Sequence, residues 1–484
     1  MPDEYTTILL GLGEQVQRLT ARVEELGQQN QELEARNQEL EAENKRLKEL
    51  LHEQGAGKGA KVPAFKENYS IEQHKGKSKR GHQSTGRRTQ DEKLSFVSQD
   101  LDVYPSGVPK ASCIEQRQQY AWRIISGQAK YVCYQIYGLP ETTELPTIAG
   151  LRNSRSEYGI EIILTVAFLH YWSGISLDHV CEVMKFFTGL GLSKSQANSL
   201  LNQLSTDWEQ EYDTIAELIA RQLVVYVDET GWQVGKQACY TWAFSTAMHV
   251  LFRCGVSRGK AEAQAVLGEE FDWIGVSDDY AAYKYLFNEH QLCWAHLLRK
   301  AIKLMLQHPT ELVYREFLDD LYDLYQQAVR WQKDKRLTVG RAQKVELLQT
   351  RLRQLCHQAH EAIDPEEMPT HKQIFIRLQN ELVNGIESLF VFVENPQVEP
   401  THNRSERNLR REAEVRKGGR TSKSQSGAQR RSIIMTVLAT LNTRFEQFTL
   451  DHLLDELNHW TQMGLSRFQL ELTGMTQAHP PPIA

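Results

Sequence analysis

Three acidic residues stand at positions where a fold could bring their carboxylates together. Asp228 follows a nearly continuous apolar run, residues 222–227, and Asp278 follows a second strand-like run, residues 273–277. Glu406 lies far downstream on a predicted helix, within the segment His-Asn-Arg-Ser-Glu-Arg. Strand ends of a buried α/β sheet commonly form ligand sites. A single carboxylate there is usually solvated or caps a helix, but two of them with a helix-borne glutamate can bind a divalent metal ion.

The elements around these acids predict a mixed α/β sheet interrupted by helices. Besides 222–227 and 273–277, the strand-like runs are 240–246, 249–253 and a segment near 291–294, with a helix at 260–269. Apolar residues at helical spacing predict an all-helical block over residues 310–390. A polar and basic helix is expected to begin near Thr401 and to be followed by an apolar helix around Ile433 to Leu441.

The region ahead of this sheet predicts a β-hairpin and then helices. Alternating aromatic and β-branched residues at about 115–137, with Ser126-Gly127 between two runs, favour the hairpin. A helix at 176–187, a glycine turn and a Ser193–Gln196 capping box then resemble a helix-turn-helix. Its second helix would present four polar residues: Lys194, Gln196, Asn198 and Asn202. Ordinary helical packing is the favoured interpretation, because helical hairpins are common in bundles.

The N-terminus carries a heptad repeat. Leucines recur every seven residues from Leu12 to Leu47, and the matching a positions include Asn30, Asn37 and Asn44. Asparagine at a lowers stability but fixes register and a two-stranded state in parallel coiled coils. The pattern therefore predicts a parallel homodimer through residues 5–54, in preference to a lone amphipathic helix.

Basic residues cluster in two places. Residues 57–93 are rich in Lys, Arg, Gly, Ser and Gln, which is typical of a flexible linker. This linker is interpreted both as a tether and as an arm that contacts DNA phosphates. The segment Arg404 to Arg431 holds ten Lys or Arg and three acids, and is interpreted as a DNA-backbone surface beside the active site.

Composition limits the remaining possibilities. With 484 residues, 40% hydrophobic and 24% charged, the chain is not a disordered protein, a collagen or a small disulfide scaffold. Seven cysteines, none in a C-x-x-C pair, favour reduced thiols in the cytosol. No signal peptide is evident, and the most apolar stretch, residues 160–172, is too short and polar to span a bilayer. We therefore expect a soluble cytoplasmic protein with no membrane partner.

Several segments together resemble a known family. They are Tyr226-Val-Asp-Glu-Thr-Gly-Trp232, Ser277-Asp-Asp-Tyr-Ala-Ala-Tyr283, Cys293-Trp-Ala-His-Leu-Leu-Arg299, Asn403-Arg-Ser-Glu-Arg407 and Gly418-Gly-Arg-Thr-Ser-Lys-Ser-Gln-Ser-Gly427. Each is weak alone, but in this order they resemble the signatures of bacterial DDE transposases of the insertion-sequence family sixty-six. The resemblance runs from about Tyr158 to Leu441, and the N-terminal coiled coil also fits that family.

The resemblance implies a ribonuclease-H-like catalytic core with a helical insertion. Asp228, Asp278 and Glu406 would be the catalytic acids and would hold two Mg²⁺ (or Mn²⁺) ions, which can activate a nucleophile and stabilise a leaving oxygen in phosphodiester transfer. The implied activity is cleavage of element ends and their joining to target DNA. The implied partners are double-stranded DNA and small accessory proteins of the same element, in a bacterial, nucleoid-associated setting.

Further residues are assigned supporting roles. Residues expected to support the active site are Cys293, Trp294, His296 and Asn403. For Cys293-x-x-His296 a zinc site would need two more ligands, none of which is evident in the sequence, so a buried pair in the active-site wall is favoured. Trp294 is interpreted as a core residue in preference to a base-stacking one. Residues expected to bind DNA are Lys77, Lys79, Arg80, Arg87, Arg88, Arg407, Arg410, Arg416, Lys417, Arg420 and Lys423.

The predicted organisation is a multidomain α+β chain. In order, it comprises a coiled coil (5–54), a basic linker (55–95), a hairpin region (96–156), a helical DNA-binding region with a candidate helix-turn-helix (157–221), the catalytic core (222–445, with an insertion at about 301–395) and a C-terminal helix and tail (446–484). Many family members carry a Cys-rich zinc finger after the linker, whereas this chain has only Cys113 and Cys133 there. Two alternatives stay open: a catalytically inactive coiled-coil DNA-binding regulator, and a ribonuclease-H-like nuclease or resolvase.

Overall fold

The computed structural model of the chain describes residues 93–141, 145–269, 271–283, 286–357 and 368–478. All of these belong to one unit of the chain, residues 88–484. The predicted coiled coil and nearly all of the basic linker lie outside the described residues. The same holds for five residues expected to bind DNA: Lys77, Lys79, Arg80, Arg87 and Arg88. Within the described ranges the chain is a mixed α+β structure with 14 α-helices and two mixed sheets.

The first sheet contains the predicted hairpin. Its strands are β1 (Gln99–Val103), β2 (Ile114–Ile125) and β3 (Gln128–Gly138), in the order β1-β3-β2. β2 and β3 pair antiparallel, and β1 joins β3 in parallel. Ser126 and Gly127 have φ values of 52° and 77°. Positive φ at both turn residues matches the right-handed twist of the strands, so the Ser-Gly pair confirms the predicted two-residue turn.

Four helices follow the hairpin. They are α1 (Ile160–Ala167), α2 (Leu177–Thr188), α3 (Lys194–Asp207) and α4 (Glu209–Ala220). Gly189 ends α2 with a φ of 77°, a conformation that glycine adopts without steric cost. Ser193 and Gln196 form the predicted capping box at the start of α3. The helix, the glycine turn and the capped helix are thus confirmed as local structure.

The polar residues of α3 have partners within the protein. Asn198 and Asn202 accept hydrogen bonds from the guanidinium of Arg430. Gln196 completes the capping box, and Lys194 forms an ion pair of 2.7 Å with an aspartate of α2. Lys194, Gln196 and Asn202 nevertheless remain exposed to solvent. The contacts agree with ordinary helical packing, and the helix-turn-helix interpretation stays a prediction.

The second sheet is five-stranded and holds the candidate acids. Its strands are β4 (Val224–Val234), β5 (Gln237–Ser245), β6 (Val250–Gly255), β7 (Phe271–Ser277) and β8 (Phe287–Leu292), in the order β6-β5-β4-β7-β8. β4, β5 and β6 pair antiparallel, whereas β7 and β8 run parallel to β4. Helix α5 (Lys260–Leu267) connects β6 to β7.

The predicted end of the first core strand was wrong. Asp228 does not follow β4 but lies inside it, because the strand continues to Val234. The apolar run does stop at Val227, yet antiparallel pairing with β5 extends from Tyr226 to Val234 and keeps the chain extended. Only residues 224–226 pair with β7. Asp228 therefore stands just beyond the point where β4 loses its parallel neighbour.

The two faces of this sheet pack into different cores. Val225 and Val227 join a core that includes α1, α3, α4 and the apolar helix α12 (Gln425–Arg444). Tyr226 and Val276 point to the opposite face and join a core built by the helical block. Alternation along a strand accounts for this split. Asp228 follows Tyr226 by two residues and so shares the face covered by the helical block.

The predicted helical block is confirmed, and it begins at Trp294. Its helices are α6 (Trp294–Gln307), α7 (Leu312–Lys333), α8 (Arg341–Cys356), α9 (Thr370–Asn384) and the short α10 (Val391–Glu394). The chain then returns to the sheet through α11 (Asn403–Lys417) and α12, and ends in α13 (Leu450–Met463) and α14 (Arg467–Ala478). No helix in the described ranges combines the length and apolarity needed to cross a membrane.

Candidate active site

Strand register places Asp228 and Asp278 at the same level of the sheet. Tyr226 pairs with Val276 as the last of three parallel partners between β4 and β7. Each aspartate lies two residues beyond that pair, and neighbouring strands are about 4.8 Å apart. Because side chains two residues apart in a strand share a face, the carboxylate of Asp228 continues the face that carries Tyr226, whereas Asp278 lies just beyond the end of β7. The pairing of β4 with β7 therefore brings together the two chain segments that carry Asp228 and Asp278, which are distant in sequence.

Glu406 reaches the same place from the first turn of α11. Its Oε1 accepts a hydrogen bond of 2.8 Å from Nη2 of Arg299 and lies 3.6 Å from Nε2 of His296. Nε2 of His402 lies 3.8 Å from the same oxygen and 3.6 Å from Oδ2 of Asp228. One imidazole therefore stands between the strand-borne and the helix-borne acid.

Asp278 borders a cavity of about 300 Å³ next to this histidine pair. The walls of the cavity include Cys293 and His296, and its rim carries Arg258 and Lys300. His296 also contacts Glu406, and His402 lies between Glu406 and Asp228. The structure thus places Asp228 and Glu406 beside His402, and Asp278 on the wall of the neighbouring cavity.

His402 is a site residue that the sequence interpretation missed. It is only 1% exposed and immediately precedes α11. Burial alone would lower its pKa, but hydrogen bonds with Asp228 and Cys293 raise that pKa to about 10. A cation between two carboxylates offsets their mutual repulsion. The sequence did contain one indication of this role: His402 lies four residues before Glu406, a spacing at which two side chains lie on the same side of a helix.

Two other groups near His402 have pKa values shifted from their usual range. Burial would raise the pKa of the Cys293 thiol, but hydrogen bonds with His296 and His402 lower it to about 6. Burial would also raise the pKa of Glu406, yet the hydrogen bond from Arg299 and the charge of His402 lower it below its usual value. Both shifts favour the anionic form, as expected beside a cationic imidazole.

A second buried carboxylate, Glu229, organises the rim of the cavity. It accepts a hydrogen bond from the Tyr283 hydroxyl and forms an ion pair with Arg258. Burial raises the pKa of Glu229, against the opposing effect of these two partners. The Arg258 guanidinium also stacks 3.8 Å from the centre of the Tyr280 ring. Arg258 is therefore held beside Asp278, and no motif in the sequence pointed to it.

The remaining predicted support residues are placed differently. Trp294 is fully buried and donates a hydrogen bond of 2.6 Å to the carbonyl of Leu389, which confirms a core role. Cys293 is 2% exposed and sits immediately before α6, as a buried wall residue would. Asn403 begins α11 with an exposed side chain. The Cys293–His296 pair does have a third partner, His402, which the sequence interpretation did not find.

The basic segment Arg404 to Arg431 contains cations that are exposed to solvent and cations that form hydrogen bonds within the protein, and Arg420 does both. Exposed members that were expected to bind DNA are Arg407, Arg410, Lys417, Arg420 and Lys423. Arg416 instead donates hydrogen bonds of 3.0 and 2.8 Å to Thr230 and the Gly231 carbonyl of β4. Arg420 also bonds the carbonyl of Gly174. Arg416 is thus part of the framework of the core.

Comparison with known proteins identifies one family. A family model described as "Transposase IS66 family" matches residues 155–430, which is more than half of the chain. The matched range contains all three candidate acids, the histidine pair and the basic segment except its last residue, Arg431. Among curated proteins, none matches the chain.

Proposed function

The chain belongs to the IS66 family of DDE transposases, and we propose that Asp228, Asp278 and Glu406 are the acids with which it cuts and joins DNA. The observation that supports this assignment is the parallel register of β4 and β7, since each aspartate follows the last paired residues, Tyr226 and Val276, by two positions. Glu406 meets Asp228 across His402, with 3.8 and 3.6 Å to its Nε2. Divalent ions held by such a carboxylate cluster can promote both hydrolysis and strand transfer at phosphodiesters.

The residues fit the divalent ions that DDE transposases generally use. Three carboxylates supply only oxygen ligands, which Mg²⁺ and Mn²⁺ prefer, and leave room for water ligands. The side chains of Asp228 and Glu406 are 21% and 26% exposed, so an ion can reach them from solvent. We propose that the three acids hold two such ions. When bound, the ions activate the attacking oxygen and stabilise the leaving one.

The surrounding cations have roles of their own. Arg258, held by Glu229 and stacked on Tyr280, is positioned to bind a phosphate beside Asp278. Arg299 fixes one oxygen of Glu406 through its 2.8 Å hydrogen bond. His402 keeps Asp228 and Glu406 near each other despite their like charge. These groups orient the DNA backbone and the acids, whereas base contacts are not required for this chemistry.

The architecture supports a ribonuclease-H-like core. Three antiparallel strands continue into two parallel ones, helices cover both faces, and the acids lie at the centre of the sheet and on a following helix. We propose that the block from α6 to α10 is an insertion into this core, and that the other predicted domain boundaries hold. The exposed cations of α11 and the following loop, with the basic linker, would contact the phosphates of element ends and target DNA.

Three further features of the proposal concern partners and place. The heptad repeat of residues 5–54 would form a parallel homodimer. Small proteins of the same element are candidate accessory partners. The protein would act in the bacterial cytoplasm on nucleoid DNA. None of these affects the assignment of the acids.

A cleavage and joining assay tests the assignment. Asp228→Asn, Asp278→Asn and Glu406→Gln each remove a charge with little change in shape, so we expect loss of Mg²⁺-dependent nicking and of 3′-end joining with DNA binding retained. Asp272→Asn on β7 and Glu414→Gln on α11 are matched controls at exposed positions. They should keep full activity.

The outcomes separate the alternatives. Wild-type activity in Glu406→Gln would show that the third acid is another residue. Cleavage without joining would indicate a nuclease with the same metal chemistry. DNA binding without cleavage in the wild-type protein would favour the inactive regulator.

A further inference from the structure

Cys293, His296 and His402 form a compact cluster of potential metal ligands. The thiol sulfur and one ring nitrogen of each histidine all lie within 4.8 Å of one another. The two imidazole rings stack with centroids 4.9 Å apart and planes 18° from parallel. The carboxylate cluster described above supplies only oxygen, whereas this neighbouring group supplies sulfur and nitrogen.

The histidines have unused coordination capacity. Nδ1 of His296 and Nδ1 of His402 are buried and have no hydrogen-bond partner within the described part of the chain. Buried polar atoms nearly always have a partner, and an exception calls for an explanation such as an ion. His402 is 1% exposed, so bulk water does not supply that partner. A metal ion that displaced the Nδ1 proton would supply one, and its positive charge would take the place of the charge of the protonated His402.

The thiol is already oriented as a metal-binding sulfur would be. Sγ of Cys293 accepts a hydrogen bond of 3.4 Å from the backbone N–H of His402. Secondary hydrogen bonds of this kind hold ligands in position around protein metal sites. The backbone N–H of Trp294 also donates to the carbonyl of Pro400 at 3.0 Å. Two independent backbone contacts therefore keep Cys293 beside the residues that precede α11.

The ligand types select the metal. Thiolate and imidazole together favour Zn²⁺, whereas Mg²⁺ takes oxygen ligands. The C-x₂-H spacing of Cys293 and His296 gives a closely spaced ligand pair, as is typical of zinc sites. Oε1 of Glu406 lies 3.6 and 3.8 Å from Nε2 of His296 and His402. Glu406 therefore borders the cluster but is not one of its three members.

We propose that Cys293, His296 and His402 bind one Zn²⁺ ion. The ion would join the start of α6 to the start of α11, which are the two ends of the helical block. It would thereby fix the returning chain against the sheet. Its three ligands are not the carboxylates proposed for the DNA chemistry, and its test does not measure cleavage.

Cobalt substitution in the full-length protein tests the site. After removal of metals with a chelator, Co²⁺ is added as a spectroscopic probe of zinc sites. We expect one Co²⁺ per chain with visible bands of tetrahedral cobalt and a near-ultraviolet thiolate-to-cobalt charge-transfer band. Zn²⁺ should remove these bands stoichiometrically, and excess Mg²⁺ should leave them unchanged.

Variants assign the bands to individual ligands. Cys293→Ser should abolish the charge-transfer band, and His402→Asn should weaken binding by about 100-fold or more, since even residues that only orient ligands cost about 10–100-fold. Glu406→Gln, which changes a neighbouring carboxylate and no ligand, should keep the charge-transfer band. Cys356→Ser, in a buried thiol of α8, is the matched control and should bind like the wild type.

Thermal unfolding provides a second measurement. At a hundredfold excess over Kd, Zn²⁺ should raise the Tm of the wild type by roughly 5 °C and that of the control equally, but not that of Cys293→Ser. The proposal is overturned by a wild type without a thiolate band. It is equally overturned by a band that survives Cys293→Ser or disappears in Cys356→Ser.

Discussion

Helices α11 and α12 belong to one basic stretch of sequence, yet they direct their arginines in opposite ways. On α11, Arg407 and Arg410 are exposed to solvent. On α12, Arg431 is 8% exposed and forms a two-hydrogen-bond pair with Glu412 at 2.7 and 2.8 Å. The same run of basic residues therefore contains two kinds of arginine. The first kind is available to a polyanion, and the second holds the fold together.

Packing explains the difference. Only Ser405, Leu409 and Glu412 are buried on α11, so most of its circumference faces solvent. Helix α12 lies within the core, where Thr436 accepts a hydrogen bond from the backbone N–H of Phe252 on β6. A cation on such a helix has to be paired, because an isolated buried charge is strongly unfavourable.

The largest expected effect concerns the buried pair. Glu412→Gln leaves the Arg431 guanidinium buried beside Trp232 without its counter-charge. We expect a loss of about 3–5 kcal/mol in the free energy of unfolding, measured by urea denaturation. Glu414→Gln, on the exposed side of the same helix, should change it by less than about 0.5 kcal/mol.

A double variant sharpens this comparison. Glu412→Leu combined with Arg431→Met replaces the ion pair with apolar side chains, and such replacements are often neutral or stabilising. Stability should therefore return close to that of the wild type. If Glu412→Gln is as stable as Glu414→Gln, the pair contributes nothing and the contrast between the two helices fails.

A smaller effect is expected on the exposed side. Changing Arg407 and Arg410 together to Ala should weaken binding to all DNA sequences about tenfold and flatten the slope of log K against log salt by about 1.8, or 0.9 per contact. Stability should be unchanged. Arg315→Ala with Lys335→Ala removes the same charge from exposed positions in the helical block and should leave DNA affinity unchanged.

Selectivity decides between two interpretations of these arginines. Backbone contacts carry no sequence information. If the double variant lost binding to element ends while keeping its affinity for random DNA, the arginines would read bases. That result would contradict the assignment to phosphate contacts.

The smallest effect concerns Arg444, the last residue of α12, which is paired with Glu471. Burial would raise the pKa of Glu471, but hydrogen bonds with His249 and Arg444 lower it to about 2. A depressed carboxyl pKa stabilises the fold above the unfolded value of about 4.3, and this contribution is lost as the pH falls toward 2. Because Glu471 is partly exposed, it contributes less than about 1 kcal/mol.

Unfolding of the wild type and of Glu471→Gln at several pH values measures this contribution. The wild type should be the more stable near neutral pH, and the difference should shrink below about pH 4. A difference that stays constant down to about pH 3 would show that the pair acts through packing rather than charge.

Local structure was largely predictable from the sequence. Ser126-Gly127 specified a hairpin turn because few residues tolerate positive φ, and Ser193 with Gln196 specified a helix start through its own hydrogen bonds. The end of β4 was not predictable from its apolar run. The half of β4 after Val227 is a strand only because β5 pairs with it, and pairing partners are not encoded locally.

The sequence by itself determined the ligand chemistry, the helical or extended state of most segments and the resemblance to a transposase family. Residue types fix which atoms can bind a metal, and hydrophobic periodicity fixes which face of an element is buried. Only the tertiary structure decided that His402 stands between Asp228 and Glu406, and that Arg416 faces inward while Arg407 faces solvent. Both outcomes depend on how α11 docks on β4. That docking results from the combined packing of two cores on opposite faces of one sheet, which no short stretch of sequence specifies.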